Sequence, residues 1–301
     1  MITRRRFVEL SAAGAVACSL PRVVSDRRVV RVLTGMATQD GAGVRLTRVI
    51  GQPALRNLDP FIMLDRFHSD DPGAYIAGFP DHPHRGFETV TVMLNGRMRH
   101  RDSKGNSGLI SDGGVQWMTA GRGIVHSEMP EQTDGLMSGF QLWLNLPARE
   151  KMREQEYQDL QRDKLTHVPL AGQGVVHLIA GRALDASGPV APRTTEPVLL
   201  TAALHDERPL QLSLPRAHVG FVFVHQGAAL IGEQRVAAGS IALLGDGNRL
   251  SVRADGVQTG VLIAAARPIG EPIAQRGPFV MNTEAELQRA YDDYRRGTLT
   301  L

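Results

Sequence analysis

A single cysteine, Cys18, is the only thiol in this chain of 301 residues, which excludes an intramolecular disulfide and a thiolate metal cluster. Any metal must therefore be held by imidazole and carboxylate. Aromatic residues are scarce at 5%, and no apolar run is long enough to cross a membrane as a helix. An excess of charge of one sign is also missing, with 34 basic residues against 31 acidic ones. Without residues 1–17, which hold Arg4, Arg5, Arg6 and Glu9, the net charge falls to +1. That balance leaves no electrostatic footprint for nucleic acid. What the chain does have is 32 glycines and 17 prolines in a 42% hydrophobic, 22% charged sequence. This composition suits a soluble protein of many short strands and tight turns, and the length allows two domains.

The N-terminus reads as an address. A basic stretch, Thr3-Arg4-Arg5-Arg6-Phe7, precedes a short, weakly apolar segment ending in the small-residue site Ala15-Val16-Ala17, the pattern of a cleaved signal peptide. Arg4 and Arg5 resemble the twin-arginine type, which implies periplasmic delivery of a folded, cofactor-loaded protein. An amphipathic surface helix is the alternative, but the apolar stretch has no polar face. Cys18 after Ala17 also admits a lipidated form, although Ala15 replaces the leucine usual there.

From about Arg31 to Leu146 the sequence is a train of alternating segments, among them Val44–Ile50, Glu88–Leu94 and Phe140–Leu144. Their β-branched, period-two pattern predicts strands, with turns at Asn95-Gly96 and Asp112-Gly113-Gly114. Residues 148–165 are charged and poor in β-branched residues, so they read as a polar connector with helical tendency. A second strand-rich block follows from Gly174 to Ala266, and capped helical spacing is expected around Asn282–Tyr291. The predicted organisation is an export segment with a short linker over 1–30, an N-terminal metal-binding domain over 31–147, a connector over 148–173, and a C-terminal β domain with terminal helix over 174–301. The fold class is all-β, as two barrels or sandwiches.

The chemistry concentrates in His82-Pro83-His84 and, 42 positions later, in His126-Ser127-Glu128. Side chains at i and i+2 of a strand share a face, so each motif offers two ligands side by side. Three imidazoles and a carboxylate suit a borderline first-row divalent ion. Any one of these histidines alone would more often be an ordinary core or surface residue, and that reading is kept for His68, His100, His167, His177, His205, His218 and His225. Glu88, four residues after His84, competes with Glu128 for the carboxylate position, and strand parity does not separate them. The pattern His-x-His-x3-Glu, with Gly121-Arg122-Gly123 leading into His126, resembles the cupin motifs.

The resemblance narrows with longer strings. Phe79–Val90, His100–Ser103, Gln116–Pro130 and Gly277–Thr283 are similar to the pirin family, over roughly residues 30–297. The chain departs from that family at Gly114, where an Asp is common, and in its export-type N-terminus. The resemblance implies a bicupin with one metal, usually iron, in the N-terminal barrel. It places the ligands on His82, His84, His126 and Glu128, and leaves Glu88 to support them from behind. It also implies a dioxygenase that cleaves a flavonol such as quercetin with O2, with Fe(II) as cofactor and Glu128 as general base. The alternative is a non-catalytic, iron-binding module that reports redox state to a protein partner. A sugar-binding or isomerase cupin fits less well, since no phosphate-binding loop accompanies the motifs. The remaining expectations are a monomer, no transmembrane segment in the mature protein and no nucleic-acid partner.

Overall fold

The computed structural model describes residues 24–256 and 258–301. Arg4, Arg5, the Ala15–Ala17 site and Cys18 lie outside the described residues. The described residues are all-β with one α-helix, Glu284–Arg295. Each half pairs a seven-stranded sheet with a four-stranded one. In the first half the large sheet runs in the order Glu156–Leu160, Val115–Thr119, Phe87–Asn95, Met137–Asn145, Phe61–Ser69, Val44–Ile50 and Met36–Asp40. The small sheet runs Phe79–His84, Ile124–Pro130, Met98–Asp102 and Ser107–Ile110. All registers between these strands are antiparallel.

The large sheets of the two halves face each other. Between them lies one apolar layer in which Val90, Trp117, Phe140 and Leu142 meet Phe221, Phe223, Ile241 and Leu262. Phe61 meets Phe221 edge-on, with ring centroids 5.1 Å apart. Alternation explains both faces of the strand Phe87–Asn95. Val90 and Val92 enter this shared layer, while Phe87, Thr89, Thr91 and Met93 point into the first barrel. The second barrel is filled instead by aliphatic side chains such as Val176, Leu200, Val222, Leu250 and Ile263.

The halves exchange segments. Val29–Thr34 pairs with Ser240–Leu244 in the second half's sheet. Glu156–Leu160, inside the stretch read as a connector with helical tendency, is a strand paired with Val115–Thr119. Only short 3-10 turns, Ala148–Glu150 and Arg162–Lys164, remain of the helical expectation. The open edge of Val115–Thr119 needs a partner for its backbone groups, and that demand outweighs the modest helical preference of Glu, Gln and Leu. The C-terminal segment returns to the first half. Val280 N donates to Arg85 O at 3.0 Å, and Arg85 bonds Asp293 of the helix at 2.7 Å. The helix carries the expected cap, in which Thr283 and Glu286 bond each other's backbone N–H. The turns also fall as expected. Gly96 and Gly113 adopt positive φ, and Asp112 Oδ1 accepts from Gly96 N at 2.6 Å. Among the described residues, no helix is long and apolar enough to cross a membrane.

Candidate metal centre

The strand Phe79–His84 holds His82 and His84 on one face, and antiparallel pairing with Ile124–Pro130 sets His126 directly opposite His82. The ring centroids stand 4.3 to 4.9 Å apart, and one nitrogen from each imidazole lies within 4.8 Å of the other two. His84 and His126 are buried, and His82 is half-buried.

Each ring has its Nδ1 occupied on the outer side. His82 Nδ1 faces Pro80 O at 2.8 Å, and His84 Nδ1 faces Pro278 O at 3.3 Å. Carbonyls only accept, so both rings carry a proton on Nδ1, which leaves Nε2 as the nitrogen free to meet a cation. His126 Nδ1 lies 3.3 Å from His100 Nδ1, while its Nε2 is buried and has no hydrogen-bond partner. Leaving such a nitrogen unsatisfied costs about 1–3 kcal/mol, which a coordinated cation would recover. Burial, and secondarily the neighbouring imidazoles, push His84 and His126 well below the usual histidine range, so both rings are neutral donors at pH 7. The residues fit a divalent first-row ion.

Glu128 is buried on the same strand as His126 but outside the three-imidazole group. Its carboxylate accepts from Thr91 Oγ1 and Gln141 Nε2, both at 2.7 Å. Glu88 points the other way. The shared parity with His84 assumed one continuous strand, but pairing breaks at Arg85-Gly86, where Gly86 has φ of +90° and the next strand starts at Phe87. Glu88 therefore lies on the far face of the sheet, taking a bond from Thr119 and facing Arg193 at 3.4 Å. It is not placed to support the ligands.

A cavity of about 640 Å³ opens onto His82, His84 and Glu128. Its apolar walls include Leu46, Met63, Phe67, Phe79 and Trp143. Its polar wall carries Gln141 and a forked ion pair, with Arg48 bonding the two oxygens of Asp65 at 2.9 and 2.7 Å. Burial raises the Asp65 pKa, opposed by Arg48.

The Pirin family model matches residues 43–144, and the model of the pirin C-terminal cupin domain matches residues 199–300. The chain belongs to the pirin family. A Pseudomonas aeruginosa protein that carries quercetin 2,3-dioxygenase as a provisional name is 46% identical over 91% of this chain and 99% of its own length. A pirin-like protein of Caulobacter vibrioides is 45% identical over 90% of this chain and 98% of its own. Among solved structures, a quercetin 2,3-dioxygenase from Acinetobacter baumannii superposes with a TM-score of 0.85 at 31% identity, covering 91% of this chain and 99% of that one. The two β halves are thus the two cupins of a pirin.

The pirin fold also brings in residues that the sequence reading passed over. His100 and Asp102 touch the cluster from behind, Thr91 and Gln141 hold Glu128, and Pro278 arrives from the far end of the chain. Only His100-x-Asp102 carried a readable signal, the same i, i+2 spacing that singled out His82 and His84.

Proposed function

We propose that this pirin is a metal-dependent dioxygenase that cleaves a flavonol-like aromatic enol. The observation that carries the reading is the convergence of three imidazoles, two of which, His82 and His84, open with Glu128 onto a 640 Å³ cavity walled by aromatic and aliphatic side chains. A bound first-row divalent ion, iron by family resemblance, supplies a Lewis-acidic, redox-active centre. His82, His84 and His126 would hold it, and Glu128 would complete the donor set. Leu46, Phe67, Phe79 and Trp143 receive the flat rings of the substrate and displace water. Glu128, aimed by Thr91 and Gln141, takes the proton of the substrate hydroxyl at its carboxylate. The relatives named as quercetin 2,3-dioxygenases support this choice of substrate class.

The test is aerobic incubation of iron-loaded protein with quercetin, following oxygen uptake and loss of flavonol absorbance. Repeated turnover is expected. If iron is confirmed in place and no quercetin-dependent oxygen uptake occurs, the dioxygenase reading fails and the redox-sensing module replaces it.

The proposal includes export in folded form, which rests on Arg4 and Arg5 ahead of Ala15-Val16-Ala17. Changing Arg4 and Arg5 together to Lys is expected to hold the precursor in the cytoplasm, read by fractionation. Normal export of that double variant would contradict the address.

A further inference from the structure

His126 differs from the other two imidazoles in one respect: its Nδ1 faces a side chain rather than a carbonyl. His82 and His84 are held by Pro80 O and Pro278 O, which only accept, so their tautomers follow from the backbone. His126 faces His100 Nδ1, which accepts or donates according to its own protonation. The next group outward makes that choice. His100 Nε2 lies 3.4 Å from Asp102 Oδ2. Asp102 Oδ1 accepts from Lys104 N at 2.9 Å and Asn106 N at 3.0 Å, and its Oδ2 accepts from Asn106 Nδ2 at 2.8 Å. A carboxyl surrounded by three N–H donors is an acceptor, so His100 presents Nε2–H to it. With its one proton on Nε2, a neutral ring in this position has its lone pair on Nδ1. Two lone pairs facing each other make no bond, so His126 carries its proton on Nδ1. Its Nε2, buried and unpartnered, turns its lone pair to the cluster.

We infer that His100, oriented by Asp102, is a positioning residue that sets the tautomer of His126 and so completes the three-nitrogen donor set. The inference rests on the metal-site reading. The surroundings show a built arrangement. His100 is 1% exposed and lies in register with Glu128. Its ring is stacked on Tyr157 at 4.7 Å between centroids. Gln116 Nε2 at 2.7 Å and Asp159 Oδ2 at 2.9 Å fix the Tyr157 hydroxyl in turn. The ring of His100 thus has neither freedom to turn away nor another acceptor role to fill. Partners of this kind behind a ligating histidine typically contribute about ten- to a hundredfold in metal affinity.

The test compares wild type, His100→Phe and His100→Asn, each prepared metal-free, for cobalt(II) affinity by competition with a chromophoric chelator. Phe keeps the stacked ring but offers no acceptor. Asn loses the ring but puts an amide oxygen near where Nδ1 stands. The expected order is wild type tightest, Asn next and Phe weakest, with Phe losing about ten- to a hundredfold. If Phe binds better than Asn, the role is packing and the inference is overturned. It is equally overturned if all three bind alike. A wild type that binds no cobalt removes the metal-site reading itself, and the inference with it. Should either variant fold poorly, the wild type alone decides the matter. Long-range 1H–15N correlation on the zinc-loaded, 15N-histidine-labelled protein is expected to show His126 protonated at Nδ1 and His100 protonated at Nε2 only. A proton on His126 Nε2 or on His100 Nδ1 contradicts the inference.

Discussion

Glu128 is the residue on which mechanism and ligation are hardest to separate, because one carboxylate is asked to do both. Its two oxygens are aimed by Thr91 and Gln141. Glu128→Gln can keep this network if the Gln141 amide flips, since Thr91 Oγ1 already lies 3.0 Å from Gln141 Oε1. The variant retains an oxygen of nearly the same size but takes no proton. With metal content held, turnover is expected to fall about a hundredfold or more. Metal content and turnover must be read on one sample. A proportional fall in both would reduce Glu128 to a ligand. At this scale the sequence was legible where i, i+2 spacing on one strand did the work, as for His82 and His84. It was not legible for Glu88, since the break at Arg85-Gly86 resets which face a side chain takes. Nor could spacing show Pro278 meeting His84, 194 positions away.

At the scale of elements, the metal strand Phe79–His84 depends on a tie that composition did not reveal. Lys151, 1% exposed, donates to Gly86 O at 2.8 Å, Asn145 Oδ1 at 2.5 Å and Val280 O at 3.0 Å. It thereby fastens the turn after His84, the end of the strand Met137–Asn145 and the returning C-terminal segment. Burial lowers its pKa from an ordinary 10.5 to about 7, with Glu271 and Glu286 opposing the drop. Between those two values the unfolded chain binds more protons than the folded one, so Lys151's contribution to stability rises with pH across that window and is smallest below about pH 7. The stability difference between wild type and Lys151→Met is therefore expected to move in favour of wild type by roughly 1 kcal/mol per pH unit between pH 7.5 and 9.5. Urea midpoints of both proteins at the two pH values measure it. A pH-independent difference would mean that the lysine keeps an ordinary pKa. The same stretch shows why charged composition misled: Lys151 is drawn inward by three acceptors and Glu156–Leu160 by an open sheet edge, and neither demand is visible locally.

For the whole molecule, the decisive feature is that the two cupins share one apolar layer and exchange segments. Phe221 lies in that layer with no exposed surface, against Phe61 of the other half. Phe221→Ala is expected to cost about 3–5 kcal/mol, and to lower the unfolding of both halves together, because neither keeps a complete core alone. Calorimetry checks this; a variant in which only one half melts earlier would show that the halves are energetically separate. The two-barrel architecture was legible from alternating strands and glycine turns, since a strand with one face on an apolar layer and the other on a more polar surface shows that period of two. The exchanges were not, because the edge strand Val29–Thr34 and the terminal segment find partners more than 190 positions away in sequence.

The claim on which the rest depends is that one first-row ion sits among His82, His84 and His126. Metal content per chain, measured on wild type and His126→Ala after reconstitution and removal of excess ion, tests it most directly. The account predicts about one ion per chain for wild type and its loss in the variant. Two ions per chain, or undiminished loading in His126→Ala, would contradict it.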